Sequence, residues 1–353
     1  MKIHNLKIQN FRNHKAKEFA FKEGFNVVVG NNGAGKTSLL EAVAYLMLSK
    51  SFLTSSEKSM VNISSDYFTL EGDVHHSRAK VAFQKGKKQF FLNEDKISKI
   101  SDYYGQFYVV WVAPNDLNLV EGLGEIRRKF MDRNIALVSK DFLIDLVRYH
   151  KILAQRNRYL KNLYSHKPDT YLLDIYDTEL IALAKNIAQF RSIFIQEILP
   201  LFQANYQEIA GVHEKVDIYY ETRVLEDDFE HEFMSNRSAD ILGKRTLMGI
   251  HKDDLKFLTL GMNTKSHASQ GQIKNFVVAL KCAVFQWFEK KTKQTPVLLI
   301  DDMNDRLDLE RLRNFIHFLS KIKDAQIIIS DTRASTLNSI FEELNLHNNC
   351  IQL

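Results

Sequence analysis

The sequence predicts an α/β protein with a nucleotide-binding lobe and a second, mostly helical lobe. Three observations carry this. Residues 30–37 read Gly-Asn-Asn-Gly-Ala-Gly-Lys-Thr, a complete G-x-x-x-x-G-K-[ST] phosphate-binding loop. Far downstream, the apolar run Val297-Leu298-Leu299-Ile300 ends in the acidic pair Asp301-Asp302. Between them, from Asn115 to about Ala210, the hydrophobic period changes to helical.

Residues 2–9 and 15–21 read as strands joined by a turn at Asn10-Phe11-Arg12-Asn13-His14. Phe25–Val29 is apolar throughout, as a buried parallel strand should be. Ser38–Leu48 is rich in helix formers and apolar almost all round, which predicts a buried helix. The loop therefore stands between strand and helix. Its backbone N–H groups form a nest for phosphate oxygens. The helix N-terminus points its unpaired N–H groups at the same anion. Gly30, Gly33 and Gly35 allow backbone angles that a side chain would forbid. Gly30, Asn31, Asn32, Gly33, Ala34, Gly35, Lys36 and Thr37 are the expected nucleotide-binding residues. Lys36 supplies a cation for the β- and γ-phosphates, and Thr37 a hydroxyl for Mg²⁺.

Residues 67–74, 78–84 and 88–92 alternate as antiparallel strands, and Phe107–Val112 is a further apolar strand. Helical spacing follows in a short segment at Asp116–Leu119 and in Glu125–Val138. A long helix capped by Asp141 runs to about Tyr164. After a turn at His166–Asp169, a second long helix spans about Asp174 to Leu199, where Pro200 should kink or end it. Gly211 closes the region, and the two long helices are expected to pair as an antiparallel arm. Strands return at 215–222, with an edge near Thr259-Leu260, and a helix runs from Ser269 to about Lys290. Strands at 296–301 and 325–330 flank a helix at 309–322. The expected lobes are 1–112 with 265–353, and 113–264.

With 353 residues and 45% apolar content, the chain can bury two cores. The net charge of +5 permits a nucleic-acid partner. Cys282 and Cys350 have no metal or redox spacing and read as reduced thiols. No signal-peptide region or membrane-length apolar run occurs, so a cytoplasmic location is expected.

Asp301 is assigned to Mg²⁺, and Asp302 to orienting and deprotonating the attacking water. Ser269-Gln270-Gly271-Gln272 is a polar turn at a helix N-terminus, readable as a plain cap or as an anion site. It falls about twenty-five residues before the second acidic strand, the order found in ABC-type ATPases.

Further segments extend this pattern: Asn10-Phe11-Arg12-Asn13, Leu39-Leu40-Glu41-Ala42, Pro114-Asn115-Asp116-Leu117 and Arg127–Arg133. Arg148-Tyr149, Gln155-Arg156-Asn157, Gly249–Asp254 and Leu307-Asp308 complete it. Over essentially its whole length the chain resembles the RecF family of bacterial recombination mediators. The resemblance implies an ABC-type, SMC-like ATPase head without a coiled coil, binding ATP and Mg²⁺. It implies an ATP-dependent homodimer in which Ser269, Gln270, Gly271 and Gln272 act in trans on the γ-phosphate. Asp308 would belong to the D-loop, and Arg12 would approach the nucleotide, a surface salt bridge being the other reading of Arg12. The implied partners are duplex, gapped or junction DNA and RecR, with RecO and RecA in the pathway. Hydrolysis is expected to be slow, because Asp302 is one methylene shorter than the glutamate usual there.

The chain departs from the family pattern at Asn115, at Gly249-Ile250-His251-Lys252 and at Asp305-Arg306, and no histidine follows Ser330-Asp331-Thr332. Candidate DNA contacts are Arg127, Arg128 and Lys129, with Arg148, Lys151, Arg156 and Arg158 on the arm; a merely solvated face is the other reading. The alternative at the level of function is an SMC-like head from another DNA-maintenance or defence system. A GTPase would need an Asn-Lys-x-Asp segment, which is not found.

Overall fold

In a computed structural model of the chain, residues 1–54, 56–163, 170–302, 309–332 and 334–353 are described. The apolar run at 25–29 lies in the strand Gly24–Val29 of a five-stranded sheet. Every pairing in that sheet is parallel. The order is Asn348–Gln352, Gly24–Val29, Gln326–Asp331, Val297–Asp301 and Val109–Val112. Asp301 pairs with Ser330, and Ser330 with Val28, so three strands present their carboxyl ends along one edge. That edge is where open α/β sheets place ligands. The sequence reading did not include the strand Asn348–Gln352, which is short and polar.

The alternating strands form a separate, antiparallel sheet of six, ordered His14–Ala20, Asn5–Phe11, Tyr67–Val74, Ser77–Gln84, Lys87–Leu92 and Asp95–Ile97. The helix Lys36–Leu48 packs against strands of both sheets, and every residue from Leu39 to Leu48 is buried. This explains its apolar character on all sides. Tyr45 stands edge-on to Phe68 at 5.6 Å, and Phe11 does so at 5.1 Å.

The chain divides into two units: Met1–Leu117 with Leu201–Glu214 and Ala268–Leu353, and Asn118–Pro200 with Lys215–His267. Residues 113–117 and 201–214 thus fall in the unit that holds the two larger sheets, whereas the expected partition placed them with 113–264. The second unit holds the helices Gly124–Val138 and Lys140–Lys161, most of the helix Thr170–Ala210, and a three-stranded antiparallel sheet. The two long helices are antiparallel: Phe142 meets Phe190 at 5.5 Å, and Arg156 meets Asp177 at 2.6 Å.

Two local expectations are corrected. Ser139, not Asp141, caps the helix, accepting the Phe142 N–H at 3.2 Å. A serine hydroxyl at that position reaches the free N–H of the first turn, whereas Asp141 already lies inside the helix. Pro200 does not end the second helix, which continues to Ala210. Beyond it, Phe202, Tyr206 and Ile209 bury a continuous apolar face, and that packing overrides the one lost backbone bond. Gly211, at φ +67, terminates the helix. The expected turn at His166–Asp169 lies outside the described residues.

Because Pro200 sits exposed in a helix interior, Pro200→Ala should raise stability by roughly 1–3 kcal/mol. Urea unfolding checks this; a decrease would mean that the helix needs the local distortion proline imposes.

Candidate nucleotide site

The phosphate loop curves through two glycines in the left-handed region, Gly33 at φ +81 and Gly35 at φ +105. Gly35 is the N-cap of the helix beginning at Lys36 and offers no side chain to cap its first N–H groups. The hairpin between the first two strands props the loop. Asn13 Nδ2 donates to Gly33 O at 3.0 Å, and His14 Nε2 bonds Gly35 O at 3.0 Å. A carbonyl only accepts, so that nitrogen carries the proton. Burial lowers the His14 pKa below its ordinary value, which keeps the ring neutral. A Cβ on Gly35 would stand 2.6 Å from the His14 ring. Sequence reasoning gave His14 no role, because its partner is reached only through the hairpin.

Lys36 Nζ donates to Gly30 O at 2.7 Å and Asn31 O at 3.0 Å, within the curve of the loop. Thr37 Oγ1 donates to Asp301 Oδ1 at 3.0 Å, joining the loop to the acidic strand across 264 residues. Ser330 Oγ donates to the same oxygen at 2.6 Å, and Asp301 is 3% exposed. Ser330 also fixes the next residue, accepting the Asp302 N–H through both its carbonyl and its hydroxyl at 3.2 Å. Asp302 adopts φ +55 and is half-buried. Thr37 and Asp301 offer the oxygen donors that Mg²⁺ takes alongside phosphate and water. Among the described residues no cluster of three or more His, Cys, Asp or Glu suits a transition metal.

Arg12 makes a salt bridge, as one of its two readings expects. Its Nε and Nη2 both reach Glu41, at 2.7 Å each, and Nη1 donates to Ser59 O at 2.7 Å. Glu41 is fully buried on the phosphate-loop helix, so the guanidinium neutralises a core carboxylate. Beside the loop, Arg12, Asn13, Lys15, Ser38, Asn62 and Ile63 line an open groove of about 660 Å³.

Asn115 is exposed, and its Nδ2 donates to Phe52 O at 2.6 Å. Its neighbour Asp116 accepts from Lys281 at 2.6 Å. Lys281 is 1% exposed and donates to Trp111 O as well; nothing in its sequence context distinguished it. Ser269 caps the helix Gln270–Thr292 in a complete capping box with Gln272. Asp308 and Asp305-Arg306 lie outside the described residues.

The proposed DNA contacts divide sharply. Arg156 is fully buried, donating to Asp177 at 2.6 Å, Asp240 at 2.7 Å and Thr246 at 2.8 Å. It is therefore excluded as a DNA contact. Arg127 lays its fork on Asp254 at 2.6 and 2.8 Å and donates to Leu119 and Gly122 carbonyls, so its donors are committed internally. Arg128 bonds Asp253 O at 2.6 Å, Lys129 pairs with Glu125 at 2.6 Å, and Arg148 pairs with Glu179. Lys151 and Arg158 are exposed.

The model of the RecF/RecN/SMC N terminal domain matches residues 2–348. The chain belongs to this family. It is 36% identical over 350 residues to the DNA replication and repair protein RecF of Cytophaga hutchinsonii, covering 98% of this chain and 93% of that one. The RecF of Lactobacillus johnsonii is 35% identical over 337 residues, 90% of each chain. Among solved structures, a RecF–ATP complex of the RecFOR pathway superposes with a TM-score of 0.86 at 27% identity, over 94% of this chain and 92% of that one. An Smc head shares the fold at a TM-score of 0.55 and 14% identity, over 96% and 91%.

Gly35→Ala forces a Cβ into the His14 ring at a left-handed φ, and should abolish nucleotide binding while leaving the fold intact. Titration with a fluorescent nucleotide, beside circular dichroism, checks both parts. Arg156→Ala leaves the buried Asp240 without its cation and Asp177 with Arg237 alone, and should cost about 3–5 kcal/mol of stability. Lys151→Ala should be neutral to within about 0.5 kcal/mol in the same urea melts.

Proposed function

We propose that the protein is an ATP-driven switch acting on DNA. ATP binding joins two copies, and hydrolysis separates them. The observation carrying this is the Thr37–Asp301–Ser330 cluster at the mouth of the phosphate loop, the arrangement a nucleoside triphosphate site requires. The ATP-bound state of a RecF of similar fold supports the choice of ATP.

Each residue then has a role. The N–H groups of residues 30–37 and the Lys36 ammonium hold the β- and γ-phosphates. Thr37 and Asp301 would hold Mg²⁺, which neutralises charge developing on the transferred phosphoryl group. Asp302, its backbone fixed by Ser330, orients and deprotonates the attacking water. The signature turn Ser269–Gln272 of the second copy meets the γ-phosphate. ADP lacks that bridging group, so its formation shifts the population back to separate chains. The shorter reach of an aspartate at 302 makes turnover slow, which suits a timer.

The names of the relatives, DNA replication and repair proteins, support DNA as the partner. The RecFOR pathway named for the solved homologue supports RecR and RecO as further partners and loading of RecA as the outcome. Duplex bearing a gap or single-strand junction is the preferred DNA in this reading. Exposed Arg148, Lys151 and Arg158 remain the candidate phosphate contacts on the arm.

Analytical ultracentrifugation of Asp302→Asn tests the proposal, with no nucleotide, with ADP and with ATP–Mg²⁺, each with and without a gapped duplex. A dimer that persists with ATP and binds the gapped duplex more tightly than the monomer is expected. Normal ATP hydrolysis by this variant would remove Asp302 as the base, and a monomer in every condition would remove the composite site.

A further inference from the structure

The glutamine of the signature turn is already engaged within its own chain. Gln272 Oε1 accepts the Ser269 N–H at 2.8 Å. Its Nε2 donates to both carboxylate oxygens of Glu214, at 3.1 and 3.0 Å. Ser269 Oγ accepts the Gln272 N–H at 3.2 Å, closing the capping box. Glu214 in turn accepts the Tyr206 hydroxyl at 2.9 Å. Tyr206 is buried, and burial together with the Glu214 carboxylate raises its pKa, so the phenol stays a donor.

Glu214 is carried by the segment Leu201–Glu214, which belongs to the same unit as the signature helix. That segment is anchored along the helix Gln270–Thr292. Phe202 and Phe276 rings lie 4.5 Å apart, and Asn205 Nδ2 donates to Gln286 Oε1 at 3.1 Å. On its other side the turn faces the Arg311 guanidinium, whose Nη1 would stand 2.8 Å from a Cβ on Gly271.

We propose that Glu214 is a positioning residue for the signature turn, fixing the Gln272 amide and, through it, the Ser269 main chain. The argument is one of polarity. An amide has an acceptor end and a donor end. Glu214 presents only acceptors, so it captures the NH₂ end and leaves the oxygen facing Ser269 N–H. Without that capture the amide is free to turn, and the capping box loses its return bond. Gln272 thus acts inside its own subunit, and the incoming phosphate meets Ser269 and the N–H groups of the turn. The negative charge of Glu214 competes with that phosphate for the helix N-terminus, so hydrogen bonding rather than charge accounts for its place.

This inference rests on the composite-site reading, and the test separates the two. Glu214→Ala, Glu214→Gln and Ser269→Arg are compared for melting temperature, ATP affinity of the monomer, ATP-driven dimerisation and turnover. Glu214→Ala should weaken dimerisation about tenfold, with ATP binding by the monomer unchanged. Glu214→Gln keeps an acceptor for Gln272 and removes the charge, so dimerisation should equal or exceed that of the natural protein. If Glu214→Ala changes neither dimerisation nor turnover while Ser269→Arg abolishes both, Glu214 does not position the turn. If Glu214→Ala lowers melting temperature and monomer ATP binding in step, without rescue by Glu214→Gln, the residue serves folding alone. If Ser269→Arg has no effect, the composite site itself is removed.

Discussion

The Asp301 carboxylate is the point on which the nucleotide site depends. It is buried, and an ionised carboxylate away from water must be met by donors or charge. Two hydroxyls meet one of its oxygens, Thr37 from the phosphate-loop helix and Ser330 from the neighbouring strand. Those residues come from three parts of the chain, and only the parallel register of the five-stranded sheet aligns them. One strand, Gln326–Asp331, separates the loop strand from the acidic strand, and Ser330 on that strand bridges the gap. A slip of one residue would turn Ser330 to the other face of the sheet and break the connection.

The second unit is organised by buried charge. Arg191 is 1% exposed and lays its fork on Asp132 at 2.8 and 2.9 Å, with Asp253 at 3.1 Å. Asp253 also accepts from Thr222 at 2.8 Å and from the Tyr220 hydroxyl. His251 is driven by burial down to about 4, so its ring is neutral. Nε2 then donates to Thr246 O at 3.0 Å, and Nδ1 accepts the Tyr149 hydroxyl at 2.8 Å. Gly249, at φ +123, is the residue that admits that hydroxyl, which would stand 2.4 Å from a Cβ. Segments 127–133, 148–157 and 249–254, which look functional in sequence, are here the partners of one another. A buried arginine requires acids in fixed places, and such requirements leave motif-like strings in a chain.

The same requirement separates the basic residues one from another. Arg127, Arg128 and Lys129 are consecutive in sequence, yet their environments differ. Arg127 is held by Asp254, Arg128 by a main-chain carbonyl, and Lys129 lies on the surface beside Glu125. Arg148 and Arg156 share a helix, but eight residues of helical rotation and the packing of Asp177 and Asp240 put one outside and the other in the core. A cation run states only how much charge is present. The partners that decide its use come from elsewhere in the chain.

By itself the sequence determined the α/β class, the loop at 30–37, the acidic strand, the polar turn at 269–272 that opens a helix, and the two long helices. These signals are local: backbone geometry, hydrophobic period and short-range capping are written in neighbouring residues. Only the tertiary structure decided that His14 props Gly35, that Arg12 neutralises Glu41, that Ser330 sets Asp301, and that Glu214 holds Gln272. These pairings span from 21 to 58 residues, and each is selected by burial and by the need to satisfy a polar group far from water. The same physics carried the second long helix past Pro200, because the apolar face beyond it had a core to enter.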